Sequence, residues 1–209
     1  MTALIIKDIA TLKKTLLLTI AICIALAAYG IYENTIFMIP LICAMIPLIL
    51  TAIAFGYDTK SKFEQFAFSM PIKKSSYVLS KLFFAFAFGL IGAVCLFVLL
   101  VLQDKLPIDN IVLISLITLV GSVLMSAVQL PFILKYGAEK GRLIMVITYF
   151  AIFTLSTLLK EKSAFLVKLM EVLSKYSISM ICIGITFLGL IIIGIAIKAS
   201  VVIIEKKEY

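Results

Sequence analysis

Long uninterrupted apolar runs constrain this chain more than any other feature. Six of them recur along the sequence, over residues 15–32, 36–57, 80–102, 110–134, 143–159 and 177–197. A helix needs about 20 apolar residues to cross a bilayer, and backbone groups in lipid must find partners within their own segment. The runs also lack the alternation of a transmembrane β-strand. The sequence therefore predicts an all-α integral membrane protein with six transmembrane helices, in a single domain over residues 1–209.

The composition agrees with lipid as the main solvent. Hydrophobic residues make up 64% of the chain, and the mean hydropathy is +1.23. Soluble domains are typically about 45–50% apolar. The net charge of +8 is compatible with nucleic-acid binding. However, the basic residues lie between the apolar runs, where membrane topology explains them, so no nucleic-acid partner is expected.

The distribution of lysine and arginine predicts the orientation of the chain. Placing the N-terminus in the cytoplasm puts 14 of the 19 basic residues on that side and 5 on the other. Because positive residues concentrate on the cytoplasmic side, we expect a multi-pass plasma membrane protein with both termini in the cytoplasm.

Two amphipathic segments lie outside the spans, one before the first span and one between the fifth and sixth spans. In residues 1–14 the apolar side chains form one stripe, made of Leu4, Ile5, Ile6, Ile9 and Leu12. The charged residues are placed outside this stripe: Lys7, Asp8, Lys13 and Lys14. This pattern predicts an interfacial helix, with an extension of the first span as the alternative. Residues 160–177 are also amphipathic and too short to cross, so they are predicted to lie on or dip into the outer interface.

The loop between the second and third spans, residues 58–79, contains a predicted short helix from residue 59 to about residue 69. Four residues of this region share one side, namely Phe63, Phe66, Ala67 and Met70. Pro71 should end the helix because it lacks a backbone donor, and a second helix should begin near Ser75. Such a helix could dock an aromatic side chain into a partner's groove or could lie on lipid headgroups.

Two prolines lie seven residues apart in the second span. Pro40 and Pro47 each remove a backbone hydrogen bond and tend to kink a helix. A kinked helix can bend around a cavity or act as a hinge, although membrane helices also tolerate proline without any such role.

Small and polar residues recur at helical spacing in the third and fourth spans. The polar positions of the fourth span share one face, comprising Ser115, Thr118, Ser122, Ser126 and Gln129. Small hydroxyl residues usually allow close packing of helices, and the alternative is the lining of a polar transport path. In the third span, Ala85, Gly89 and Ala93 form a second close-packing face.

Sequence signatures of enzymes are missing. The chain has no GxxxxGK[ST] phosphate loop, no HExxH motif and no histidine. We therefore expect no catalytic residues, no metal site and no ATP-binding loop of its own.

The loop residues and the opening segment resemble the permease subunit of type-2 ATP-binding-cassette (ABC) exporters over the whole chain. The resemblance rests on LIIKDIATLKK at residues 4–14 and on loop residues Asp58, Phe63, Ser69-Met70-Pro71-Ile72, Lys73, Tyr77-Val78 and Ser80-Lys81. Within that family the chain looks closest to small half-size permeases of Gram-positive exporters of amphipathic peptide toxins and bacteriocins.

The resemblance implies an elbow helix at residues 1–14, a coupling helix at residues 59–69 and an outer re-entrant segment. A separate ATPase subunit would hold ATP and magnesium, and this chain would hold no cofactor. Its contacts with that ATPase would be Asp58, Lys60, Lys62, Phe63, Glu64 and Phe66. The candidate path-lining residues are Pro40, Pro47, Ser122, Ser126, Gln129 and Thr148.

In the family arrangement two permeases, as a homodimer or a heterodimer, would export an amphipathic or hydrophobic substrate, with peptide as the expected class. The alternative function is a non-transporting membrane immunity or scaffolding protein that binds a cytoplasmic partner through the same loop.

Overall fold

Helices make up almost all of the chain that the structure describes. The computed structural model describes residues 2–32, 38–69, 73–103, 106–137, 140–141, 143, 147, 150, 154 and 177–206. Its helices are α1 (Thr2–Tyr32), α2 (Met38–Lys60), α3 (Phe63–Ser69), α4 (Lys74–Gln103), α5 (Ile108–Tyr136) and α6 (Ile178–Lys206). No strand occurs in these residues, so the predicted all-α class is confirmed for the part of the chain described.

Four helical stretches are long and apolar enough to cross a membrane. They are Cys43–Lys60, Lys74–Gln103, Ile108–Tyr136 and Ile178–Lys206. They correspond to the second, third, fourth and sixth predicted spans, which makes this a multi-pass membrane protein. Most of the fifth predicted span and all but Ser177 of the outer segment 160–177 lie outside the described residues, so six spans and the re-entrant segment stay predictions.

Helix α1 joins two segments that the sequence pattern separates. Residues 1–14 are predicted to lie apart from the first span, yet α1 runs without interruption from Thr2 to Tyr32. Its 31 residues give a length of about 46 Å, more than the hydrocarbon thickness of roughly 30 Å. The reason for continuity is tertiary, because the buried stripe that contains Leu12 and Leu16 passes straight across the expected boundary and packs against Leu50. The continuity of α1 fits the alternative of an extended first span, and a position of residues 1–14 at the membrane interface stays a prediction.

Small residues set the spacing of the central helices. A Cβ atom added to Gly89 of α4 would lie 2.6 Å from the Ser122 hydroxyl of α5, and one added to Gly92 would lie 3.2 Å from the Cys43 carbonyl oxygen of α2. Ala85 and Ala93, on the same α4 face as Gly89, are buried. The predicted close-packing face of the third span is thus confirmed, and it contacts α5.

The ends of α3 differ in part from the prediction. Helix α2 continues to Lys60, a turn follows at residues 61–62, and α3 then begins at Phe63 rather than at residue 59. Lys62 has a φ of 51°, a left-handed conformation that interrupts a helix and is uncommon for residues other than glycine. The predicted end near residue 69 and the start of the next helix near Ser75 agree with the structure.

Helix α3 lies against one end of the bundle, where α2, α4, α5 and α6 converge. The apolar core at this end includes Phe55, Tyr77, Leu130 and Ile204. Phe63 and Phe68 of α3 pack onto that core, and Lys74 at the start of α4 donates a hydrogen bond of 3.1 Å to the Ile204 carbonyl oxygen of α6. The short helix is therefore held by side-chain packing as well as by its two connections.

Candidate functional site

Four charged side chains meet beside α3, where α1, α2 and α4 come together. This ionic cluster consists of Lys7 and Asp8 of α1, Asp58 of α2 and Lys81 of α4. The side chains of Asp8 and Lys81 are 1% exposed, that of Asp58 is 3% exposed and that of Lys7 is 25% exposed. Lysine and aspartate are almost never this buried unless they are paired, because the removal of a charge from water is costly.

Each charge in the cluster has an opposite neighbour. The Lys81 ammonium lies 2.8 Å from both carboxylate oxygens of Asp8 and 2.7 Å from Asp58 Oδ2. The Lys7 ammonium lies 3.0 Å from Asp8 Oδ1 and also donates to Asp58 Oδ1. The Tyr77 hydroxyl donates to Asp58 Oδ2 at 2.9 Å. Two cations thus balance two anions, which is the arrangement that makes buried charges tolerable.

Aromatic rings connect this cluster to α3. The Lys7 ammonium lies 3.8 Å from the centroid of the Phe63 ring, well within cation–π range. The Phe68 ring makes an edge contact with Tyr77, with 5.6 Å between centroids. Ala67 of α3 is 1% exposed. The cluster and its rings therefore join α1, α2, α3 and α4 at a single point.

The outward side of α3 carries an exposed aromatic residue. The predicted shared face of Phe63, Phe66 and Ala67 is wrong in part, because Phe63 and Ala67 face the bundle while Phe66 is 57% exposed. Phe63 and Ala67 are four residues apart and align on one face of the helix, whereas Phe66 lies at the edge of that face. The packing of α3 on the bundle therefore leaves Phe66 directed outward. Met70, the fourth predicted member, lies outside the described residues.

The six predicted partner contacts fall into three groups. Lys60, Lys62 and Phe66 are exposed, whereas Phe63 and Glu64 are half-buried. Asp58 is directed into the ionic cluster, where both of its oxygens accept hydrogen bonds from within the chain. A contribution of Asp58 to a partner contact would therefore act through the residues that it holds.

Sequence reasoning missed the burial of Asp8 and Lys81. It placed Asp8 outside the apolar stripe of α1, whereas the structure buries Asp8 together with Leu4 and Leu12 and exposes Ile6 and Ile9. One signal was present, because Leu4, Asp8 and Leu12 follow one another at four-residue spacing and so share a face. An aspartate within a buried stripe requires a cation partner, and the chain supplies Lys81 from 73 residues away.

The polar face of α5 is buried inside the bundle. The exposed fractions are 8% for Ser115, 6% for Thr118, 0% for Ser122, 1% for Ser126 and 4% for Gln129. The four hydroxyls donate to carbonyl oxygens of α5 itself at 2.8–3.0 Å. This arrangement favours the helix-packing interpretation in this conformation.

The remaining candidate path residues lie on α2 and in the fifth predicted span. Pro47 is buried within α2, and its ring would be 3.8 Å from a Cβ atom added to Gly89. The side chain of Pro40 and all of Thr148 lie outside what the structure describes. A path along these residues stays a prediction.

Gln129 differs from its hydroxyl neighbours. Neither its amide oxygen nor its amide nitrogen has a hydrogen-bond partner among the residues that the structure describes. We expect Gln129→Leu to raise the free energy of unfolding by about 1–3 kcal/mol, because a buried amide without partners costs that much. Denaturant titration of the purified protein in detergent measures this, with Gln65→Leu on the exposed side of α3 as the control without effect. A loss of stability in Gln129→Leu would mean that the amide has a partner after all.

The described helices form a membrane bundle with the short helix α3 packed against its charged end. The sequence matches the family described as ABC-2 family transporter protein over residues 3–205. No curated protein and no solved structure was found to match it. The matched range contains every described helix almost entire, including α3 and the ionic cluster. The chain therefore belongs to the ABC-2 family of transporter proteins.

Proposed function

We propose that this chain is the permease subunit of an ABC exporter and that its separate ATPase subunit docks on the outward side of α3. One observation carries the docking assignment. The seven-residue helix α3 packs Phe63 and Ala67 against the bundle and leaves Phe66, at the edge of that face, exposed. A helix that is packed firmly on the bundle and still exposes an aromatic side chain is well suited to receive force from a soluble partner.

The chemistry of this surface indicates what the ATPase must offer. Exposed Lys60 and Lys62 precede Phe66 in the chain, so the aromatic side chain is accompanied by positive charge. Buried aromatic residues are frequent energetic centres of interfaces, and complementary charge at the rim guides association. The matching surface would be an apolar groove with acidic residues at its edge. Because the ATPase is cytoplasmic, the proposal includes a cytoplasmic position for α3 and for both termini.

We propose that the substrate is amphipathic or hydrophobic and that it is a peptide, such as a peptide toxin. In the described residues the buried charges are those of the ionic cluster, at the α3 end of the bundle. The middle of the bundle offers hydroxyls, the Gln129 amide and apolar side chains, which suit a substrate with little charge. A second permease, identical or different, would complete the transporter.

Purification in mild detergent tests the function. We expect an ABC ATPase to co-purify with the chain and the complex to hydrolyse ATP, whereas the chain alone should not. Liposomes containing the chain alone should move no labelled amphipathic peptide, with or without ATP. Transport by the isolated chain without nucleotide would contradict the proposal. A co-purifying partner that does not hydrolyse ATP would instead favour the immunity or scaffolding function.

A further inference from the structure

Resting on the proposed function, we propose that Lys7 is the positioning residue that carries movement of α3 to α1. Lys7 is the member of the ionic cluster whose charge contacts an α3 ring, since its ammonium lies 3.8 Å from the Phe63 centroid. The same ammonium is bonded to Asp58 of α2 and lies 3.0 Å from Asp8. One atom thus joins the helix that would receive the ATPase to the first helix of the bundle.

The other cation of the cluster, Lys81, keeps its contacts while α3 moves. Lys81 is 1% exposed and lies within 2.8 Å of both Asp8 oxygens and of Asp58. Any opening of these contacts would leave buried charges unpaired, which is strongly unfavourable. Lys81 therefore keeps α1, α2 and α4 together throughout a transport cycle.

Lys7, in contrast, can lose a contact and form it again. Its side chain is 25% exposed, so water can replace a lost contact at moderate cost. A cation–π contact at a partly exposed site is weaker than a buried, paired charge. A contact of this strength breaks and forms again more readily than the contacts of Lys81.

A hinge lies directly before the Phe63 ring. The turn at residues 61–62 separates α2 from α3, and the positive φ of Lys62 marks the point where the chain changes direction. Phe63 is the first residue of α3 after this turn. A push on Phe66 that rotates α3 about the turn moves the Phe63 ring relative to the Lys7 ammonium, and Lys7 transmits that displacement to α1.

Two variants break this link while the charges of the cluster stay balanced. Lys7→Met combined with Asp58→Asn removes one cation and one anion and leaves the Asp8–Lys81 pair in place. Phe63→Leu breaks the same contact from the α3 side, keeps an apolar side chain and changes no charge. Because the two act on different helices, the proposal can be tested even where one of them fails to assemble.

Hydrogen–deuterium exchange of the permease–ATPase complex in lipid nanodiscs measures the transmission. With a non-hydrolysable ATP analogue as the probe, we expect the wild-type complex to change amide exchange in both 63–69 and 2–14. In both variants the change at 63–69 should remain and the change at 2–14 should be lost. Lys13→Met, an exposed lysine on the same helix, should respond as the wild type does. Lys7→Arg keeps the charge and stacks on aromatic rings, so it should restore the response.

The outcomes separate this proposal from the one on which it rests. A response at 2–14 in both variants equal to that of the wild type would overturn the role of Lys7 and leave the docking of the ATPase on α3 untouched. A wild-type complex in which the nucleotide changes nothing at 63–69 would overturn both. Loss of the response in Lys7→Arg as well as in Lys7→Met with Asp58→Asn would assign Lys7 a packing role and also overturn the proposal.

Discussion

Lys81→Met is expected to lower the free energy of unfolding by about 3–5 kcal/mol, because it removes one cation from a balanced buried cluster and leaves one carboxylate charge in excess. The Lys81 side chain is 1% exposed and contacts Asp8 and Asp58 at 2.7–2.8 Å. Its removal leaves two carboxylates with Lys7 as the remaining cation, in a place that water scarcely reaches. Denaturant titration of the purified permease in detergent, followed by circular dichroism, measures the loss.

Two further variants are the controls for Lys81→Met. Lys81→Met with Asp8→Asn restores the balance of charge and should recover much of the stability, because neutral replacement of a buried ion pair is often nearly neutral in effect. Lys14→Met removes an exposed lysine from α1 and should change stability by no more than about 0.5 kcal/mol. If Lys81→Met proved as mild as Lys14→Met, the cluster would have to be hydrated, contrary to its burial in the structure.

The spans could be predicted because lipid imposes a requirement on every residue of a run. The apolar run at residues 80–102 locates α4, and the run at residues 110–134 locates α5. The apolar run alone does not give the start of the helix, since α4 begins at Lys74, close to the start near Ser75 that the loop pattern predicts. Hydropathy ends where the polar residues begin, whereas the helix continues because Tyr77 and Val78 pack into the core at the α3 end.

The ionic cluster could not be predicted from local pattern, since its members lie far apart in the chain. Asp8 and Lys81 are 73 residues apart, and Lys7 and Asp58 are 51 residues apart. A lysine at the edge of an apolar run is usually placed at the membrane surface, in water. Burial of Lys81 depends on three helices converging on it, which is a property of the tertiary fold alone.

The orientation of α3 shows the same limit on a smaller scale. Helical periodicity gives the angle between Phe63, Phe66 and Ala67 correctly. It does not say which side of that arc faces the bundle, because the rotation of a seven-residue helix is determined by its turn at residues 61–62 and by the core beneath it. The sequence therefore identified the helix and its aromatic residues, while the structure decided which aromatic residue is available to a partner.

Substitution of exposed Phe66 should affect binding of the ATPase, whereas substitution of packed Phe63 should affect the stability of the permease. Phe66→Asp should weaken binding of the ATPase by about 30-fold or more, since loss of an aromatic hot spot costs about 2 kcal/mol or more. It should leave the stability of the permease unchanged, because Phe66 is 57% exposed. Phe63→Asp should instead destabilise the permease itself, since it places a third carboxylate beside Asp8 and Asp58 and removes the ring from Lys7. Titration of the ATPase onto permease in nanodiscs measures the first effect, and thermal unfolding measures the second.

A matched control decides whether α3 is the specific contact. Tyr136→Asp alters another exposed aromatic residue, 48% exposed at the end of α5, and should bind the ATPase as the wild type does. Full binding by Phe66→Asp would exclude the outward side of α3 as the docking surface. An equal loss in Tyr136→Asp would mean that the ATPase covers the whole end of the bundle. With full binding by Phe66→Asp, the two phenylalanines would differ only in their effect on stability, and force from the ATPase would have to reach α1 by a route other than the hinge at Lys62.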